Sequence, residues 1–176
     1  MKQFLAVSAL GKDRPGLAHD LVRTISECGA SISDSRMLPL GGEFAMQLLV
    51  TGNWHAMARL ESELARLGEA AGLALHMRRT DPRALREDHI PYSIDVIGPD
   101  HQGIIAGLAG FLTARQIEIA EIASRSYVAA QTGAAMFAVQ MMINVPARQP
   151  VAQLREDFME YCDSQNLDAI LEPVKN

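Results

Sequence analysis

The stretch Gly11-Lys12-Asp13-Arg14-Pro15-Gly16-Leu17 returns in altered form as Gly98-Pro99-Asp100-His101-Gln102-Gly103-Ile104, at an offset of 87 residues. The same offset superimposes apolar positions further along the two halves: Leu21 on Leu108, Ile25 on Leu112, Ala30 on Ile117 and Ile32 on Ile119. Self-similarity at a fixed distance is typical of a repeated folding unit. The sequence therefore predicts two copies of one fold.

A second pair of matching segments extends the repeat. Phe44-Ala45-Met46-Gln47-Leu48 corresponds to Phe137-Ala138-Val139-Gln140-Met141, now at an offset of 93. The offset has grown by six residues between the two matches. Insertions are tolerated best in surface connections, so we expect the additional residues in a hairpin turn of the second half.

Each half has the same predicted order of elements: strand, helix, strand, strand, helix, strand. Apolar or alternating runs predict strands near 4–10, 31–39, 43–51 and 73–77, and again near 92–96, 117–128, 134–144 and 167–171. Apolar stripes at three- and four-residue spacing predict the helices: Leu17, Leu21, Ile25 and Cys28; Trp54, Met57, Leu60, Leu64 and Leu67; Ile104, Leu108 and Leu112; Val151, Leu154, Phe158 and Tyr161.

This order predicts an α+β protein of two ferredoxin-like βαββαβ units. Right-handed crossovers place both helices of a unit on one face of a four-stranded antiparallel sheet. We expect unit 1 to span 1–80 and unit 2 to span 91–176. The segment 81–90 is charged, starts at a Pro break and has no apolar stripe, which is typical of a linker.

Composition excludes several classes of protein. The 176 residues are 48% hydrophobic and 21% charged, as in ordinary soluble globular proteins. A formal net charge of -5 disfavours autonomous binding to nucleic acid. No apolar run has the length of a membrane span or of a secretory signal. Cys28 and Cys162 lie far apart and belong to no metal-binding pattern, so we expect buried, reduced cysteines in a cytoplasmic protein.

Motifs for catalysis and for cofactors are missing as well. The five histidines follow no zinc-ligand spacing, and the sequence contains no GxSxG, no GxGxxG and no Walker lysine. The small residues of 103–110 are better explained by a helix that packs closely on a sheet. The sequence therefore predicts a protein that is not an enzyme, with no catalytic residue, no metal and no cofactor.

The loop between the first strand and first helix of each unit is the candidate ligand site. Asp13 and Asp100 are placed to cap the helices, and Pro15 suits the first helical position. Gly16 and Gly103 lack side chains, so a small solute can approach the amides of the first helical turn, which favour a carboxylate or phosphate. The same residues also make a good turn and cap without any ligand. Both interpretations stay open at this point.

Placed in a βαββαβ unit, Asp13-Arg14-Pro15-Gly16-Leu17 resembles the ACT domain, a regulatory module that commonly binds amino acids. The tandem pair covers nearly the whole chain, and its second loop departs from Arg-Pro-Gly with His-Gln-Gly. The resemblance implies glycine as the first ligand to test and a DNA-binding transcriptional activator as the protein partner. It places the ligand at Asp13, Arg14, Pro15, Gly16 and Leu17, and at Asp100, His101, Gln102, Gly103 and Ile104.

Ligand size limits the expected affinity. Glycine has about five heavy atoms, and a ceiling of roughly -1.5 kcal/mol per atom restricts its dissociation constant to the low micromolar range or weaker. Two other functions stay open: a detached regulatory subunit of an amino-acid metabolic enzyme, and a duplicated scaffold whose loops only cap helices. His101 is either a ligand for an amino-acid carboxylate or a plain turn residue. The helix-free face and the two edges of each sheet have to be covered, so we expect the two units to pack together and the chain to form a homodimer.

Overall fold

The structure is a computed structural model that describes residues 2–83 and 88–174. The chain divides into two compact units, Met1–Ala84 and Leu85–Asn176. Residues 84–87 of the predicted linker 81–90 lie outside the described residues. The first strand of the second unit begins at His89.

The first unit consists of four strands and two helices among its described residues. In chain order these are β1 (Gln3–Lys12), α1 (Leu17–Glu27), β2 (Ser31–Leu40), β3 (Glu43–Gly52), α2 (Trp54–Ala71) and β4 (Ala74–Thr80). The strands form one antiparallel sheet in the order β2-β3-β1-β4.

The second unit repeats this arrangement. Its elements are β5 (His89–Pro99), α3 (Ile104–Ala114), β6 (Glu118–Val128), β7 (Ala135–Pro146), α4 (Val151–Ser164) and β8 (Asp168–Pro173). The sheet order is β6-β7-β5-β8, again antiparallel throughout. The predicted fold, two ferredoxin-like βαββαβ units, is confirmed. Of the six inserted residues, four lengthen the connection between β6 and β7, where a hairpin turn was predicted, and two extend the adjoining ends of these strands.

Each unit has its own core between the sheet and the helices. In the first unit the apolar stripes of α1 and α2 contact alternate residues of β1 and β3; the fully buried members include Leu5, Leu17, Leu21, Ile25, Met57, Leu60 and Leu64. The second core is centred on Phe158 and includes Ile94, Leu108, Leu112 and Met141. Burying each such side chain stabilises the fold by about 1.5–3 kcal/mol. Cys28 and Cys162 are both buried, as predicted.

All four helices end in the same way. The first or second residue after the helix adopts a left-handed conformation, and the next amide bonds back to a carbonyl five residues earlier. The left-handed residues are Gly29, Gly72, Gln116 and Asn166, with φ of 78°, 66°, 58° and 58°. The chain then turns directly into the following strand, whose start is anchored by a buried apolar residue.

The edge strands β2 and β6 differ from the other strands. Every residue of β2 is exposed, and β6 is exposed over most of its length. The register of each strand shifts once, between Ile32 and Asp34 in β2 and between Ile119 and Glu121 in β6. Such bulges twist an edge strand and interrupt its pairing. Among the described residues, no helix combines the length and apolar character needed to cross a bilayer.

Candidate functional site

Loop 1 (residues 13–16) and loop 2 (residues 100–103) leave their sheets in the same way. The N–H of Asp13 donates to the carbonyl of Gly42 at 3.1 Å, and the N–H of Asp100 donates to the carbonyl of Ala135 at 3.0 Å. Each loop is therefore tied to the start of the neighbouring strand before it enters its helix. The duplicated sequence has produced a duplicated backbone anchor.

Both helices begin from a glycine in the left-handed region. Gly16 has φ of 93° and accepts a bond from the N–H of Asp20 at 2.9 Å. Gly103 has φ of 94° and accepts from the N–H of Gly107 at the same distance. A side chain at either position would be strained, because L residues rarely adopt this conformation. The glycines are thus required by the main-chain path into the helix.

The predicted capping role of the aspartates is wrong. Helix α1 starts at Leu17 and α3 at Ile104, and neither N-cap residue provides a side-chain hydrogen bond. Asp13 and Asp100 precede the capping glycines by three residues, whereas a capping side chain normally belongs to the N-cap residue itself. Pro15 also lies two residues before the helix and not at its first position. Because the helices start later than predicted, both carboxylates remain outside the first turn.

The space in front of the capping glycines is open. A Cβ built on Gly103 would meet no heavy atom of the described residues within 4 Å, and one built on Gly16 would meet only Nη1 of Arg14, at 3.9 Å. The first amides of an α-helix have no partner within the helix. The N–H of Leu17 donates to the carbonyl of Arg14 at 3.5 Å, so in loop 1 a small carboxylate would bind the other amides of the first turn.

Arg14 gives loop 1 a charged group that loop 2 lacks. Its Nη2 donates to Oδ2 of Asp20 at 3.2 Å, and its Nη1 donates to the carbonyl of Pro15 at 3.3 Å. The guanidinium is thereby held across the start of α1, although nearly half of its side chain stays exposed. Exposed ion pairs of this kind contribute little to stability, so a ligand carboxylate can share the guanidinium at small cost.

Loop 2 has a different set of polar groups. Nδ1 of His101 lies 3.2 Å from the carbonyl of Gln102, and both side chains are exposed together with Asp100. An imidazole replaces the permanent charge of the first loop. Loop 2 can therefore offer a hydrogen bond from an imidazole to a ligand.

Two of the predicted site residues have buried side chains. Leu17 is 1% exposed and Ile104 is 5% exposed, and each belongs to the core of its unit. Only their backbone amides can reach a ligand. The other predicted residues of the loops are exposed: Asp13, Arg14, Pro15 and Gly16, and Asp100, His101, Gln102 and Gly103. In each unit the structure brings these residues to one surface at the end of the first strand.

The sequence predicted a helix-free face on each sheet but no ligand site on it. On the second sheet this face holds a cavity of about 420 Å³, which includes Asp95, Arg125 and Gln140 in its lining. The alternation of polar and apolar residues in β5 and β7 was a signal for this face. It does not reveal which polar residues of neighbouring strands meet, because that depends on the strand register.

Titratable groups give no sign of catalytic chemistry in the described part of the chain. Burial raises the pKa of the Cys162 thiol to about 12, and burial also raises the pKa of Cys28. A protonated, buried thiol is a poor nucleophile. No group of three or more metal-binding side chains occurs among residues 2–83 and 88–174.

The first unit matches a known protein family. The model of the ACT domain family matches residues 3–78, which are nearly all of the first unit. The second unit has the same strand order and the same loop geometry. The class of protein is therefore a tandem pair of ACT units.

The relatives specify the family further. The chain is 31% identical over 175 residues to the glycine cleavage system transcriptional repressors of Escherichia coli (strain K12) and Shigella flexneri, covering 98% of this chain and 91% of each relative. It belongs to the family of these repressors. The similarity supports a regulatory role.

Solved structures agree with this assignment. A crystal structure assigned to a glycine cleavage system transcriptional repressor superimposes with a TM-score of 0.74 at 27% identity, covering 100% of this chain and 99% of that one. A protein from Galdieria sulphuraria gives a TM-score of 0.79 at 27% identity, covering 99% and 100%.

Proposed function

We propose that the chain is a non-enzymatic regulator that binds glycine at its strand–helix loops and passes that state to a DNA-binding transcriptional activator. The observation that carries the proposal is the pair of open helix starts behind Gly16 and Gly103, which share one backbone geometry. The membership of the repressor family supports the choice of glycine and of a transcriptional partner.

The loops offer complementary groups to each end of an amino acid. The first amides of α1 and α3 attract a carboxylate, since the N-terminus of a helix carries a partial positive charge. The exposed carboxylates of Asp13 and Asp100 lie in the same loops and are the acceptors for the ammonium group. Arg14 strengthens the carboxylate end in loop 1, whereas His101 replaces it in loop 2.

Ligand binding regulates the partner only if it distinguishes two states of the protein. A ligand with equal affinity for both states shifts neither population. We propose that glycine prefers the state in which the activator is held. The net charge of -5 agrees with action through a protein rather than through direct contact with DNA.

Isothermal titration calorimetry across the twenty amino acids tests the ligand. Asp13→Ala and Asp100→Ala should each weaken glycine binding at the altered loop by about 10- to 100-fold, because a hydrogen bond to a charged group contributes about 1.5–3 kcal/mol. Asp163→Ala removes an equally exposed carboxylate at the end of α4 and serves as the matched control. If both loop variants fold normally and keep full affinity, the assigned site is wrong.

Co-purification tests the partner. The tagged full-length chain should retain a DNA-binding activator from lysate, and glycine should change the retained amount. The Asp13→Ala/Asp100→Ala double variant should lose this dependence on glycine. Capture of an amino-acid metabolic enzyme instead would establish the chain as a detached regulatory subunit and overturn the proposed partner.

A further inference from the structure

The helix-free face of the second sheet contains a cavity of about 420 Å³. Three neighbouring strands line it, each with three consecutive residues: 95–97 of β5, 123–125 of β6 and 138–140 of β7. We refer to it as the outer-face cavity. Its volume lies within the range of about 300–1,000 Å³ that is usual for small-molecule sites.

Residues of opposite charge lie on different rows of this face. The register pairs Asp95 with Gln140, while Arg125 and Ile97 both pair with Ala138 on the next row that faces outward. Strand spacing and rise place the Cα atoms of Asp95 and Arg125 about 10 Å apart across the sheet and about 7 Å apart along it. Both residues line the cavity, at its opposite corners.

Asp95 is held in place by its neighbour. Its Oδ1 accepts a hydrogen bond of 2.9 Å from Nε2 of Gln140. The bond fixes the carboxylate on the floor of the cavity and leaves Oδ2 for another donor. A carboxylate oriented in this way is suited to bind an ammonium group.

Arg125 has no carboxylate within ion-pair distance among the described residues. Its guanidinium carbon lies 5.6 Å from the centre of the Tyr127 ring, a weak cation–π contact at an exposed site. A planar guanidinium binds a carboxylate through two parallel hydrogen bonds. The outer-face cavity thus presents an acceptor for a cation and a donor set for an anion, with apolar surface between them.

The equivalent face of the first sheet shows that the fold does not impose this arrangement. Ser8 takes the place of Asp95 and receives the hydrogen bond of Gln47 at 2.8 Å. Leu38 takes the place of Arg125, because the two residues pair with equivalent alanines of the neighbouring strand, Ala45 and Ala138. The backbone and the glutamine are shared by both units, whereas the two separated charges occur only in the second.

We propose that the outer-face cavity binds an α-amino acid with an aliphatic side chain. Asp95 and Gln140 hold the ammonium group, and Arg125 holds the carboxylate. The aliphatic side chain contacts Ala138 and Ile97, an isoleucine that is 45% exposed. Because the cavity is far larger than glycine requires, a longer amino acid fills it better. This site is separate from the two strand–helix loops and does not rest on their function.

Calorimetry on the full chain with L-leucine tests the proposal. Asp95→Asn and Arg125→Gln should each weaken leucine binding at least about tenfold, because each removes one charged contact of the ligand. Arg36→Gln, which removes a guanidinium from the equivalent face of the first unit, is the matched control and should leave leucine binding unchanged. Far-UV circular dichroism verifies that each variant is folded.

Two analogues separate the charged ends of the ligand. 4-Methylpentanoate lacks the ammonium group of leucine and isoamylamine lacks the carboxylate, so both should bind at least about tenfold more weakly than leucine. In heteronuclear NMR spectra, leucine should shift the amides of 95–97 and 138–140, whereas glycine should shift those of 13–17 and 100–104. This difference keeps the outcome independent of the proposed loop site.

Several results would overturn the proposal. These are unchanged leucine affinity in both charge variants, equal binding of either analogue, no leucine binding at millimolar concentration, or leucine shifts confined to the loops. Shifts at 95–97 that depend on protein concentration alone would show an interface between copies of the chain instead. Failure of glycine to bind the loops has no bearing on any of these outcomes.

Discussion

The two units share one backbone but present different chemistry. Both first helices start from a left-handed glycine, with φ of 93° at Gly16 and 94° at Gly103. The side chains around those glycines differ, since Arg14 pairs with Asp20 in the first unit and an imidazole lies at 101 in the second. The two units therefore have the same main-chain geometry at this loop, but different exposed side chains.

The largest expected effect tests whether each unit depends on its own core. Phe158 is fully buried, and Phe158→Ala should destabilise the second unit by about 3–5 kcal/mol. Leu60→Ala, in the first core, is the matched variant and should cost about 2–5 kcal/mol there. Amide hydrogen exchange followed residue by residue should show lost protection in the altered unit alone. Equal loss in both units would contradict independent cores.

A smaller effect tests a close approach that both units share. A Cβ on Gly11 would lie 2.9 Å from the carbonyl oxygen of Gly72, and one on Gly98 would lie 3.0 Å from that of Asn166. Because backbone must move, Gly11→Ala and Gly98→Ala should each cost about 1–3 kcal/mol in urea unfolding. Gly110→Ala is the control: its Cβ would meet nothing within 4 Å, and alanine should stabilise that helix by about 0.5–1 kcal/mol. If neither Gly11→Ala nor Gly98→Ala lowers the free energy of unfolding, the predicted steric clash is wrong.

Helix ends provide a third test, because the first unit uses glycine where the second does not. Gln116 has φ of 58°, a conformation that costs a side-chain residue about 1 kcal/mol. Gln116→Gly should therefore stabilise the chain and raise its melting temperature by about 2–4 °C. Asn166→Gly should do so less, since asparagine tolerates this conformation better. A larger gain at position 166 would reverse the argument.

The smallest effect concerns acid stability. Arg79 donates to both carboxylate oxygens of Glu61, and these hydrogen bonds lower the pKa of Glu61. A lowered folded pKa means that the stabilisation is complete above the unfolded value of about 4.3 and is lost as the pH falls through the folded value. Because the pair is exposed, Glu61→Gln should cost less than about 1 kcal/mol at pH 7 and nothing at pH 2.

The second unit has a corresponding ion pair, between Arg115 and Asp157. Hydrogen bonds from Gln153 and then Arg115 lower the pKa of Asp157. Asp157→Asn should lower the free energy of unfolding at pH 7 and have no effect at pH 2, as expected for Glu61→Gln. Urea unfolding of both variants at pH 7 and pH 2 measures the effect, and a cost that grows toward acid would contradict it.

Most of the fold followed from short-range patterns. Apart from Trp54, which is exposed, apolar spacing predicted the helix stripes that lie in the two cores, and the repeat predicted that both units have the same topology. Helix starts were predicted less well. Asp13-Arg14-Pro15 has the residue types of a helix cap, but α1 starts only at Leu17. The left-handed path through Gly16 decides the start, and it depends on the anchor between Asp13 and Gly42.

Of the two kinds of candidate site, only the strand–helix loops could be predicted from the sequence. The loops could be identified from the sequence because all their residues are contiguous. The outer-face cavity could not, because Asp95, Arg125 and Gln140 come from three strands and meet only through their register.

The sequence by itself determined the duplicated units, the composition of their cores and the position of the strand–helix loops, because periodicity and turn residues act over a few neighbouring positions. The folded structure was needed to show that Asp13 and Asp100 cap no helix, that Arg14 is held against α1, and that Asp95 and Arg125 line one cavity. Those outcomes depend on pairing between strands that are distant in the chain, and only the folded sheet sets that pairing.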